Sequence, residues 1–63
     1  MSDALRSILR RLGLEQLVGT LEDEELYSVP MLQSMGPMFE ANMRELGLSD
    51  ERAIGRLKTA LSM

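Results

Sequence analysis

Apolar positions recur along this chain with the period of a helix. Leu5, Ile8, Leu9 and Leu12 fall at i, i+3, i+4 and i+7, which places them on one stripe. Ser2 or Asp3 caps the start of that helix, and Gly13 ends it in a left-handed conformation. The same spacing returns at once in Leu14, Leu17, Val18 and Leu21. It predicts a second helix that restarts after a kink at Gly13 and carries Gly19 in its interior. Glu22, Asp23, Glu24 and Glu25 follow. Carboxylates crowd unfavourably at the negative end of a helix dipole, so the expected stop lies near Leu21.

Ser28-Val29-Pro30 signals another helix start, because Ser accepts hydrogen bonds from orphan amides and Pro tolerates the first turn. Met31, Leu32 and Met35 give it a short apolar face. Gly36-Pro37 breaks that turn, and Phe39, Met43 and Leu46 form the next inner stripe, closed by Gly47. Leu48 is a buried connector. Ser49 or Asp50 caps a last helix with Ile54, Leu57, Ala60 and Leu61 facing inward and Arg52, Arg56 and Lys58 outward. No stretch alternates with period two, which argues against a sheet. The prediction is an all-α domain over residues 1–63, core about 5–61, whose five short helices pack as a compact orthogonal bundle. Its expected core includes Leu5, Leu9, Leu12, Leu17, Leu21, Leu46, Leu57 and Leu61. Among the methionines, Met31, Met35 and Met43 are expected inside and Met38 outside.

Composition narrows the chemistry more than the fold. At 63 residues the chain has room for one domain, with 44% hydrophobic residues but only one Phe, one Tyr and no Trp. Neither His nor Cys is present. Ser-His and Cys-His nucleophiles, disulfides and His- or Cys-bearing metal sites are thereby excluded. Glu22 to Glu25 lack the spaced Asp/Asn pattern and central Gly of a calcium loop. A phosphate-cradling glycine loop is missing too, and the order Leu48-Ser49-Asp50 is not the Asp-Ser-Leu context of an acyl-carrier serine. The expectation is a non-enzymatic chain without cofactor or metal. With no evident leader and no apolar run of about 18 residues, the sequence points to a soluble intracellular, cytoplasmic module.

Order and spacing of the Leu and Gly residues carry a resemblance. Ile8-Leu9-Arg10-Arg11-Leu12-Gly13-Leu14-Glu15-Gln16-Leu17, with Leu21 and Leu26 beyond, resembles the opening Trp-Leu-x-x-Leu-Gly-Leu-x-x-Tyr of a sterile alpha motif (SAM) domain. Met43-Arg44-Glu45-Leu46-Gly47-Leu48 is similar to the family's Leu-x-x-Leu-Gly-Ile, and Arg56 to Leu61 to its closing helix. The chain departs from the pattern at Ile8, Leu17 and Leu21, which replace aromatic residues, and at Tyr27-Ser28 in place of Asp-Gly. It departs again in a longer stretch from Met35 to Met43 and at Asn42, where Asp is frequent. Arg52 stands where many members have a Gly that lets a partner approach.

The resemblance implies a five-helix interaction and signalling module that associates with another SAM domain, a mid-loop surface on one copy meeting an end-helix surface on the next. By analogy the mid-loop surface comprises Glu22, Asp23, Glu24, Glu25, Tyr27, Gln33 and Glu40, and the end-helix surface Ser49, Arg52, Ala53 and Arg56. Charge favours the first of these. Residues 21–40 hold acidic side chains and no Lys or Arg, whereas Asp50 and Glu51 dilute the cations of the last helix. A hetero-partner with a basic surface is therefore favoured over a self-associating scaffold. RNA binding by the last helix is the reading of another class, disfavoured by the net charge of −3. Membrane-surface binding through Arg6, Arg10 and Arg11 lacks aromatic anchors.

Overall fold

Helix boundaries follow from how the orphan backbone groups are satisfied. In the computed structural model, which describes residues 1–63, α1 spans Asp3–Arg11, α2 Leu17–Asp23, α3 Val29–Gln33, α4 Phe39–Glu45 and α5 Glu51–Ala60. A 3-10 turn over Gly36–Met38 runs directly into α4, and no strand occurs. Ser2 caps α1, its Oγ accepting from the Leu5 amide at 3.3 Å, and an Asp50 carboxylate oxygen accepts from the Arg52 amide at 2.9 Å to start α5.

Four of the helices end in the same way. After α1, α2, α4 and α5 a residue turns left-handed: Gly13 (φ 72°), Glu25 (φ 59°), Gly47 (φ 101°) and Ser62 (φ 60°). The next amide reaches back to the last turn, from Leu14 to the Leu9 carbonyl, Leu26 to Leu21, Leu48 to Met43 and Met63 to Lys58, at 2.7–3.0 Å. These are Schellman closures, each placing an apolar residue just beyond the left-handed one.

They explain where the structure departs from the periodicity. Leu14 belongs to the end of α1, because its amide is held by Leu9; α2 therefore starts at Leu17 and not at Leu14. At the other end α2 runs on to Asp23, past the expected stop near Leu21. The closure through Glu25 and Leu26 outweighs the carboxylates, of which Asp23, Glu24 and Glu25 are exposed and screened by water. Leu12 and Leu46, expected in the core, are only half-buried. Each is the capping residue before a glycine, where the helical phase is lost, and the buried place passes to Leu14 and Leu48. Ala60 is exposed as well, Leu61 being the residue that packs inside.

The core is entirely apolar and draws on every helix and both Leu-Gly-Leu turns. Leu5, Leu9, Leu21, Leu32, Phe39, Met43 and Leu57 are fully inaccessible, with Leu14, Leu17, Leu48, Ile54 and Leu61 nearly so. Met43 takes the interior place expected of it, and Met38 is outside at 57% exposure. Met31 and Met35 do not fill the core: α3 has five residues and buries Leu32 alone, leaving Met31 exposed and Met35 half-buried. No buried side-chain polar atom lacks a partner. The resulting five-helix bundle measures 23 × 21 × 21 Å, with α1 packed against both α2 and α5. No helix is long and apolar enough to cross a membrane.

Candidate partner-binding surfaces

The acidic run does not form one continuous face. Glu22 is half-buried and lies 3.6 Å from the Met1 amino group. Asp23, Glu24 and Glu25 are exposed around the end of α2. Tyr27, 42% exposed, has its backbone tied down: its carbonyl accepts from the Ser2 amide and its own amide donates to the Met31 Sδ. Gln33 is engaged internally, its side-chain amide donating to the Leu61 carbonyl and so satisfying an end of α5. Glu40 meets the Lys58 ammonium at 3.2 Å and links α4 to α5.

Glu24 is the member of the run that the fold sets into a concave surface. Where the end of α2 approaches α4, Glu24 and Glu45 rim a groove floored by Leu26, Met35 and Leu46, with Asn42 on its side. Glu45, Asn42 and the three apolar residues lay outside the predicted surface. The signal for Leu26, Met35 and Leu46 was present in the sequence as apolar positions at helix ends, but their half-burial was not legible from spacing alone.

The second surface gathers more of its expected members. Ser49, Arg52 and Arg56 are exposed and Ala53 is half-buried on α5. Arg52, Ala53 and Arg56 converge on the half-buried Leu12 at the end of α1, together with Leu14 and Asp50. The groove continues along α5 past Gly55 to Thr59 and Ala60. Leu12 and Gly55 were not anticipated there.

Ion pairing sorts the charges further. Arg10 pairs with Glu15 at 2.9 Å, Arg44 with Glu51 at 3.7 Å and Lys58 with Glu40. Arg6, Arg11, Arg52 and Arg56 join no pair, and all four lie on α1 or α5. Asp50 serves as a helix cap and Glu51 faces Arg44, so the two acids that dilute the start of α5 are both engaged by their own chain. The molecule thus carries an anionic groove and a cationic groove, each with an apolar floor. At protein interfaces in general, a small apolar centre is desolvated inside a polar rim whose charges set orientation and encounter rate. No group of three or more Asp or Glu side chains is arranged to hold a metal ion. No family, curated protein or solved structure matches the chain.

Proposed function

We propose that this chain is a non-enzymatic protein–protein interaction module of the sterile alpha motif kind, its helices in that family's orthogonal arrangement. It associates with another such domain, the acidic surface at the end of α2 receiving a basic end-helix surface of the partner. The observation that carries this reading is the groove of Leu26, Met35 and Leu46 between Glu24 and Glu45. It offers apolar area that the fold leaves partly uncovered, inside a rim of one sign. RNA binding is the weaker reading, because the unpaired cations on α5 are Arg52 and Arg56 alone.

The test is calorimetric titration against purified SAM domains that present basic end helices. Binding is expected to weaken with added salt, since exposed charges are screened over about 8–10 Å near physiological ionic strength. Glu24→Lys with Glu45→Lys is expected to abolish it while the circular dichroism spectrum stays unchanged. Binding that survives this double reversal removes the acidic groove from the reading.

A further inference from the structure

A sulfur atom serves as hydrogen-bond acceptor in the turn between Tyr27 and Met31. The Tyr27 amide has no carbonyl partner and donates to the Met31 Sδ at 3.4 Å. A thioether is a weak acceptor, so this donor is only partly satisfied. The backbone on both sides is fixed: the Tyr27 carbonyl accepts from the Ser2 amide and the Met31 carbonyl from the Ser34 hydroxyl, each at 2.7 Å. The side chain between them is open. Met31 is 41% exposed and packs against no part of the core, whereas Met43 is sealed inside and Met1 and Met35 are half-buried. Met38 and Met63 are exposed too, but neither sulfur accepts a hydrogen bond.

We infer that Met31 is an oxidation site for peroxides and that its sulfoxide strengthens this turn. With hydrogen peroxide, the sulfur lone pair attacks one peroxide oxygen, and the O–O bond breaks as the S–O bond forms. Sulfur gives up two electrons, the proton on the transferred oxygen passes to the departing one, and the latter leaves as water. The new oxygen stands one bond beyond Sδ and is a far better acceptor than the thioether. Rotation about the Cγ–Sδ bond of an exposed side chain aims it at the Tyr27 amide, which the fixed backbone holds in place. A sulfoxide ordinarily harms a protein by putting a polar group into packed apolar surroundings. Met31 has none, so that cost is absent. Sulfoxides are returned to thioethers by dedicated reductases, which makes the change reversible. The chemistry needs no partner protein and is independent of the interaction reading above.

The test treats the full chain with hydrogen peroxide and follows each methionine by peptide mass spectrometry. Met31, Met38 and Met63 are expected to oxidise while Met43 stays reduced. A chain carrying Met38→Leu and Met63→Leu keeps Met31 as its one exposed methionine. Its melting temperature is expected to rise by about 2–4 °C on oxidation at Met31. Hydrogen exchange locates the gain: the Tyr27 amide is expected to slow about threefold more than the Ser34 amide, which donates to the Pro30 carbonyl further along α3. Met31→Gln places a side-chain oxygen at the same bond distance, with a helix propensity close to that of leucine, and is expected to melt about 2–4 °C above Met31→Leu.

Four outcomes overturn the inference. Met31 left reduced while Met38 is converted removes the modification site. A melting temperature that falls when Met31 alone is oxidised removes the strengthened turn and leaves ordinary oxidative damage. Equal slowing at Tyr27 and Ser34 places the gain elsewhere in the chain. Met31→Gln melting no higher than Met31→Leu shows that an oxygen at this place takes no bond from the Tyr27 amide.

Discussion

Glu25 offers a perturbation whose effect divides into two physically distinct parts. It is the residue that turns left-handed to close α2, with φ 59°, a conformation that costs an L-residue with a β-carbon about 1–2 kcal/mol. Glycine adopts it without that penalty but loses about 0.5–1 kcal/mol more chain entropy on folding. The backbone part of Glu25→Gly is therefore a gain of about 0.5–1 kcal/mol. The charge part arises because Glu25 lies beside Glu22, Asp23 and Glu24 at the negative end of the α2 dipole. Removing one carboxylate there is worth about 0.3–1 kcal/mol at low salt.

Together the two parts amount to about 1–2 kcal/mol for Glu25→Gly. In a domain of this size each kcal/mol raises the melting temperature by about 4–8 °C. Glu25→Gln separates them, since it removes the charge and keeps the strained backbone. Thermal melts of both variants at low and high salt are the assay. At low salt Gly is expected above Gln and Gln above the parent. At about 1 M salt, where the Debye length falls to about 3 Å, the Gln advantage is expected to vanish and the Gly advantage over Gln to persist. Equal melting of the Gly and Gln variants would refute the assignment of backbone strain to this residue.

Leu9 and Leu46 both fall on predicted inner stripes but differ in burial, so Leu9→Ala is expected to cost about 2–5 kcal/mol and Leu46→Ala distinctly less, about 1 kcal/mol. Denaturant titration checks this, and an equal loss for the two variants would return Leu46 to the core. At Gly47 a β-carbon meets no neighbour but φ is 101°, so Gly47→Ala is expected to destabilise by about 1–2 kcal/mol through the backbone alone. Its melting curve should shift down, whereas that of Gly55→Ala should shift up, because Gly55 lies in the interior of α5 with no left-handed φ and no neighbour to meet a β-carbon.

All-helical structure was legible in the sequence because a 3.6-residue apolar period is a local property. Leu5, Leu9, Leu17, Leu21, Leu57 and Leu61 came out buried as their spacing required, and Gly13 and Gly47 are left-handed where each ends a helix. Capping is equally local: Ser2 and Asp50 act at the positions their residue types favour. The errors cluster at helix ends. Leu12 and Leu46 lie in phase with their stripes, yet the turn at the following glycine transfers the buried place to Leu14 and Leu48. Glu25 and Ser62 carry no sequence signal for a left-handed turn, and only the reach of Leu26 and Met63 back to the preceding turn puts them there.

Candidate surfaces depended more heavily on tertiary structure. The acidic character of residues 21–40 and the cations of α5 are matters of composition. Which charges remain unpaired is not, because Glu40 meets Lys58 and Glu51 meets Arg44 only when α4 and α5 pack together. Both grooves join residues distant in the chain, Glu24 with Glu45 and Leu12 with Arg52 and Arg56. Sequence spacing determines which side of a helix a residue occupies. Whether that side is covered, half-covered or left open depends on how neighbouring helices end and cross, and those are long-range properties of the packed chain.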